Sequence, residues 1–179
     1  GTYVTDPSEF RGIPGRTYTL HFNTLESDGW HRYESIPMKM KPVPEIDSVY
    51  YEKEPGLISN VATEGCRIYL DTHAPLDSCR YFRWEYVETW EYSIPFNVTN
   101  KICWASTSSD MILIKNTSML DKNSVSRLPL VRIVDPVDKL LRKYSIFVKQ
   151  YSLNEDEFRF WEKLQNSVSQ VGGIYDIIP

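Results

Sequence analysis

"YFRWEYVETWEY", residues Tyr81 to Tyr92, carries six aromatic side chains in twelve positions, and its reading decides the fold. In a strand, alternate side chains point to opposite faces. Phe82, Trp84, Tyr86, Trp90 and Tyr92 then share one face with a single charge, Glu88, while Tyr81, Arg83, Glu85, Val87, Thr89 and Glu91 share the other. Five rings left in water would form a larger apolar patch than a ligand-stacking platform of two or three rings requires. The even-numbered face is therefore read as the inside of a sheet, and the face of Arg83, Glu85 and Glu91 as the wetter side. Glu88 interrupts the row, so a β-bulge near Val87 to Thr89 is expected, re-aiming Trp90 or Tyr92 toward one end of the sheet.

Outward from this stretch the strand pattern repeats. "IDSVYYEKE", "CRIYLDTH", "DMILIKN", "LPLVRIV" and "RKYSIFVKQY" are short runs of β-formers separated by turn residues, with no alternating helices that would call for a parallel sheet. The spacing predicts an antiparallel β-sandwich of the immunoglobulin or fibronectin kind. One segment departs from it. "SLNEDEFRFWEKLQNSVSQVGG" has Ser152 and Glu155 at capping-box spacing, acids in its first turn and Gly172-Gly173 at its end, so an amphipathic helix over about 153–171 is expected against the sandwich. Leu153, Phe160, Trp161, Leu164, Val168 and Val171 form its apolar stripe.

Toward the amino end, Thr17 to Thr24 and Arg32 to Met40 read as two strands joined by a turn at Asp28-Gly29, where glycine supplies a positive φ. Pro42 and Pro44 then bar regular pairing. The chain is accordingly divided into a hairpin at 1–41, left over from a preceding β-domain, a linker at 42–45, and a sandwich domain at 46–179.

Composition narrows the function classes. The 179 residues are 41% hydrophobic with a net charge of −4, which provides a core and no basic stripe for nucleic acid. No apolar run reaches the roughly 20 residues of a membrane-spanning helix. Cys66, Cys79 and Cys103 fit neither a CxxC redox pattern nor zinc spacing, and read as buried small apolar residues with at least one thiol outside any internal bridge. Asp71 and His73 form a D-x-H, which without a third ligand reads as a solvated loop after a strand rather than a metal site. Neither metal nor cofactor is expected.

Taken together, "YFRWEYVETWEY", "ICW", "KYSIFVKQYSLNEDEFRFWEKL" and "GGIYDIIP", in this order, with "GRTYTLHFNTLESDGWHRYES" and "PEIDSVYYE" before them, resemble the bacterial outer-membrane lipoproteins grouped as domain of unknown function 4249. The resemblance spans nearly the whole chain. It implies a lipid anchor at the outer membrane or cell surface, a lipid-bearing cysteine and β-domain ahead of the residues present, a further glycine-containing strand after them, and a gene near a TonB-dependent transporter. It brings no catalytic residues.

The expected role is thus a non-catalytic binding module of the cell envelope, accessory to a TonB-dependent transporter and serving nutrient capture or handover. Two other classes stay open. A structural or adhesive module would use the same scaffold. A hydrolase would need Ser106, Ser108, Ser109 or Asp110 of "STSSDM" with His73 as base, or paired acids such as Glu85 with Glu91 or Asp156 with Glu157. None of the serines sits in a nucleophile elbow. Contacts with a partner are expected on the loops Leu57 to Gly65, Asp71 to Ser78 and Ile94 to Lys101. The sequons at Asn97 and Asn116 are short enough to occur by chance, and the resemblance to a bacterial family implies no role for them.

Overall fold

The computed structural model describes residues 6, 8–58, 61–76, 78–96, 99, 101–134 and 138–174. Two compact units divide the chain, Gly1–Pro42 and Val43–Pro179.

In the first unit, β2 (His21–Glu26) pairs antiparallel with β3 (Gly29–Glu34), and β1 (Thr17–Tyr18) with β4 (Met38–Lys39). Each of the two strands expected here is broken in the middle. Pro37 offers no amide, and the break is bridged instead by the Ser35 N–H donating to the Leu20 carbonyl and the Leu20 N–H donating to Ser35 Oγ, both at 2.9 Å. The turn also lies one residue earlier than expected: Glu26 pairs with Gly29, so Ser27 and Asp28 are its central residues. Gly29 has φ 134°, a conformation that side chains with a Cβ rarely adopt.

The second unit is an antiparallel β-sandwich. One sheet runs in the order β10 (Ser124–Val134), β6 (Val61–His73), β5 (Ile46–Ile58). The other runs β11 (Tyr144–Leu153), β7 (Tyr81–Ser93), β8 (Ile102–Ser108), with β9 (Leu113–Asn116) also on β7. These are the places of strands A, B and E in one sheet and C and F in the other of an immunoglobulin-type sandwich. Between the sheets lie Ile68, Leu70, Leu130 and Ile133 from one side and Phe82, Trp84 and Tyr86 from the other. Trp84 is wholly enclosed. Its indole N–H donates to Gln150 Oε1 at 2.7 Å, and Gln150 Nε2 donates to the Pro44 carbonyl at 2.8 Å, so the ring's one polar atom is satisfied inside the core.

No bulge forms in β7. It pairs with β11 in unbroken register from Tyr81 to Trp90, and Glu88 stays on the core face. The carboxylate is tolerated there because Lys139 Nζ lies at 3.0 Å and the Tyr144 hydroxyl donates to it at 2.9 Å. Glu91, expected on a wet face, is also buried, opposite Trp104 in the register and paired with Arg142 at 3.5 Å and Lys143 at 3.2 Å. The register shifts lie instead between Ile46 and Ser48 of β5 and in β10, where Arg127 takes φ 54° between Val125 and Leu128. Its N–H donates to Asp71 Oδ1 at 2.6 Å and its guanidinium grips Glu52, contacts that offset the cost of a left-handed arginine.

Strand β8 falls on "ICWASTS", where the Ser and Thr residues show no apolar alternation. The helix α1 spans Glu155–Ile174, starting later than expected and running through both glycines. Asn154 is its cap: Phe158 N–H donates to the Asn154 carbonyl, and the Asn154 N–H donates to Glu157 Oε2 at 2.6 Å. The capping box is therefore Asn154 to Glu157 and not Ser152 to Glu155. Its sheet-facing side differs in part, since of the expected stripe Trp161 packs on the sheet. Phe158 is buried with its ring 5.2 Å from Tyr81, and Trp161 packs over Arg83, whereas Phe160, Leu164 and Val168 are exposed. All three cysteines are free thiols, Cys66 and Cys79 buried and Cys103 half-buried.

Candidate functional site

On the outer face of the second sheet, the odd-numbered residues of β7 meet those of β11 in register: Arg83 faces Tyr151, Glu85 faces Lys149, and Val87 faces Phe147. Ser108 of β8 lies opposite Val87. With residues 109–112 leading into β9, these strands enclose a cleft of about 320 Å³.

Its walls are held by several contacts. The Arg83 guanidinium stacks 3.8 Å from the Trp161 ring centroid and 5.2 Å from that of Tyr151, and it pairs with Glu85. Such a cation between two rings loses little freedom when a ligand arrives. The Tyr151 hydroxyl donates to Glu85 Oε2 at 2.9 Å. Burial, then that hydrogen bond to Glu85, pushes the phenol above its ordinary pKa, so it remains a donor at neutral pH. On the far wall, Ser109 N–H donates to the Tyr86 carbonyl at 2.8 Å, and Gln165 Nε2 of the helix donates to the Ile112 carbonyl at 2.6 Å. Around these fixed groups stand Lys149, Asp110, and the exposed apolar surfaces of Phe147 and Met111. The cleft thus offers both signs of charge beside an apolar floor.

The hydrolase constellations do not assemble. Ser108 and Ser109 line the cleft, but no histidine does. His73 lies on β6 in the other sheet, with Nδ1 2.7 Å from Asp47 Oδ1. Asp71, two residues away, is engaged by Arg127, so the D-x-H pair gathers no third ligand among the described residues. Glu85 and Glu91 are each committed to cations, Glu157 to the helix cap, and Asp156 is exposed in the first turn.

Of the expected contact loops, Leu57 to Gly65 is mostly strand, since β5 reaches Ile58 and β6 begins at Val61; its turn lies outside the described residues. Asp71 to His73 likewise belongs to β6, and residue 77 is outside the description. Ile94 to Lys101 is closed by a 3.0 Å bond from the Ile94 N–H to the Lys101 carbonyl, with 97, 98 and 100 outside. Sequence reading missed the cleft because it weighed the odd face of β7 without its register partners. Arg83, Glu85 and Val87 were legible as one face, but Lys149 and Trp161 join them only through pairing more than sixty residues away in the chain.

A second cavity, about 430 Å³ and more apolar, opens between the sheets at Tyr51, Cys66, Ile68, Leu140 and Tyr144. The Cys66 thiol there is pushed up, first by burial and then by the charge of Glu54, which keeps it protonated and unreactive at neutral pH.

The family model for a domain of unknown function, DUF4249, matches residues 1–179. The chain belongs to this family. No curated protein and no solved structure matches it.

Proposed function

We propose that the protein is a non-catalytic binding module of the cell envelope, lipid-anchored at the outer membrane, which serves a TonB-dependent transporter by capturing or handing over a nutrient. The observation that supports this most is the cleft on the outer face of the second sheet. Arg83 is clamped between Trp161 and Tyr151, while Lys149, Asp110, Phe147 and Met111 stand ready to meet an amphipathic ligand or a partner's side chains. Pre-organised charge beside exposed apolar surface is what a specific but releasable contact uses.

The test is to tag the full-length protein in its native cell, solubilise the outer membrane gently and identify what co-purifies. Recovery of the transporter in near-equal amounts, reduced at least tenfold by Lys149→Glu with Phe147→Ala, supports the reading. Purification alone, together with unchanged uptake after deletion of the gene, would overturn it in favour of a structural or adhesive module.

A further inference from the structure

The β2–β3 hairpin carries a group of side chains that the cleft does not involve. Thr24 pairs with His31 and Glu26 with Gly29, so Thr24, Glu26 and His31 project from one face of the hairpin, and Asp28 stands in the turn at its tip. Glu26, Asp28 and His31 each bring one ligating atom to within 4.8 Å of the others. His31 Nε2 and Asp28 Oδ1 are already 2.8 Å apart. Ligands of a four-coordinate zinc-class ion with bonds near 2.1 Å are about 3.4 Å from one another, so small side-chain rotations suffice to close the set.

We propose that Glu26, Asp28 and His31 form a binding site for a divalent transition-metal ion of the zinc class. Two further features of the hairpin support it. The Tyr33 hydroxyl at 2.9 Å and Thr24 Oγ1 at 3.2 Å both donate to Glu26 Oε1, fixing that carboxylate and leaving Oε2 to ligate. This is the outer-sphere support that orients metal ligands. Tyr33 is itself held by stacking on Phe22, with ring centroids 5.1 Å apart. The hairpin also lacks a core of its own. It is a separate two-stranded sheet with Leu25 66% and Trp30 73% exposed, and such a ribbon is marginal in water without a clip. One imidazole with two carboxylates selects zinc, cobalt, nickel or copper over calcium or magnesium, which take oxygen ligands alone. With three protein ligands, at least one coordination position is left for water or a partner's side chain.

The test uses the full chain, stripped with chelator and titrated calorimetrically with zinc chloride, then with cobalt chloride while visible absorption is followed. One equivalent should bind, with the intense visible bands of low-coordinate cobalt. His31→Ala and Glu26→Gln should each weaken zinc binding at least tenfold. His73→Ala, which removes the histidine paired with Asp47 in the sandwich, should leave it unchanged. The hairpin lies outside the sandwich core, so unchanged amide resonances of residues 21–34 in the metal-free variants report that the hairpin is intact, and the main unfolding transition reports the same of the sandwich. Absence of saturable binding, equal binding of calcium and zinc, or loss with His73→Ala but not with His31→Ala would each overturn the proposal.

Discussion

Glu88 is a carboxylate in a row of aromatic side chains, and it holds its place only through its partners. Lys139 Nζ and the Tyr144 hydroxyl take up its charge in a site that water barely reaches. Removing one member of a buried pair strands the other, at a cost of about 3 kcal/mol or more, while replacing both with apolar groups can be neutral. Glu88→Leu should therefore lower stability by about 3 kcal/mol in a denaturant titration, and Glu88→Leu with Lys139→Leu should recover most of the loss. If the double variant is as unstable as the single one, the pair is not the reason. Tyr144 extends the same argument to pH. Burial, and next the Glu88 charge, raise its pKa in the folded state well above the value of about 10 for an exposed tyrosine. The folded state thus holds this proton more tightly than the unfolded chain. That contribution is complete below about pH 10 and is lost as the pH rises further. Tyr144→Phe should flatten the decline of the melting temperature between about pH 10 and 11; an unchanged slope would remove Tyr144 from the account.

Among the elements, β7 was the most legible and β8 the least, for one physical reason. Side-chain alternation is written locally, so the core face of Phe82, Trp84 and Tyr86 was readable from the stretch alone. In β8 the Ser and Thr side chains have no such contrast, and only pairing of Ile102 to Ser108 with Ser93 to Val87 makes the segment a strand. The helix was legible in existence and only in part in orientation, since Trp161 of the expected stripe packs on the sheet and Phe160, Leu164 and Val168 do not. Phe160, Leu164 and Val168 are as apolar as Phe158, and the side that packs is chosen by Tyr81, which meets Phe158, and Arg83, which meets Trp161. Trp84 puts the β7 reading to a quantitative test. It is fully buried, and Trp84→Ala removes the indole and leaves Gln150 Oε1 without its donor. A loss of roughly 3 to 5 kcal/mol is expected. A change below about 1 kcal/mol would mean that the ring does not sit between the sheets.

At the scale of the molecule, stability is unevenly distributed along the chain. Every buried apolar residue among those described lies between Cys66 and Phe158. The first unit offers two small two-stranded sheets, with Phe22, Leu25, Trp30 and Tyr33 exposed. Pro44 and Glu45, at the start of the second unit, are tied into it: the Pro44 carbonyl accepts from Gln150 and the Glu45 carbonyl accepts from Thr72 Oγ1 at 2.9 Å. The sandwich therefore closes its own core from residue 43 onward. A chain of residues 43–179 should fold cooperatively, with a melting temperature within about 4 °C of the full chain's, the shift that roughly 1 kcal/mol produces in a domain of this size. Residues 1–42 alone should show no cooperative transition, as expected for ribbons without a packed face. A 43–179 chain that aggregates or melts far below the full chain would show that the sandwich depends on the residues before it, and would move the unit boundary toward the amino end.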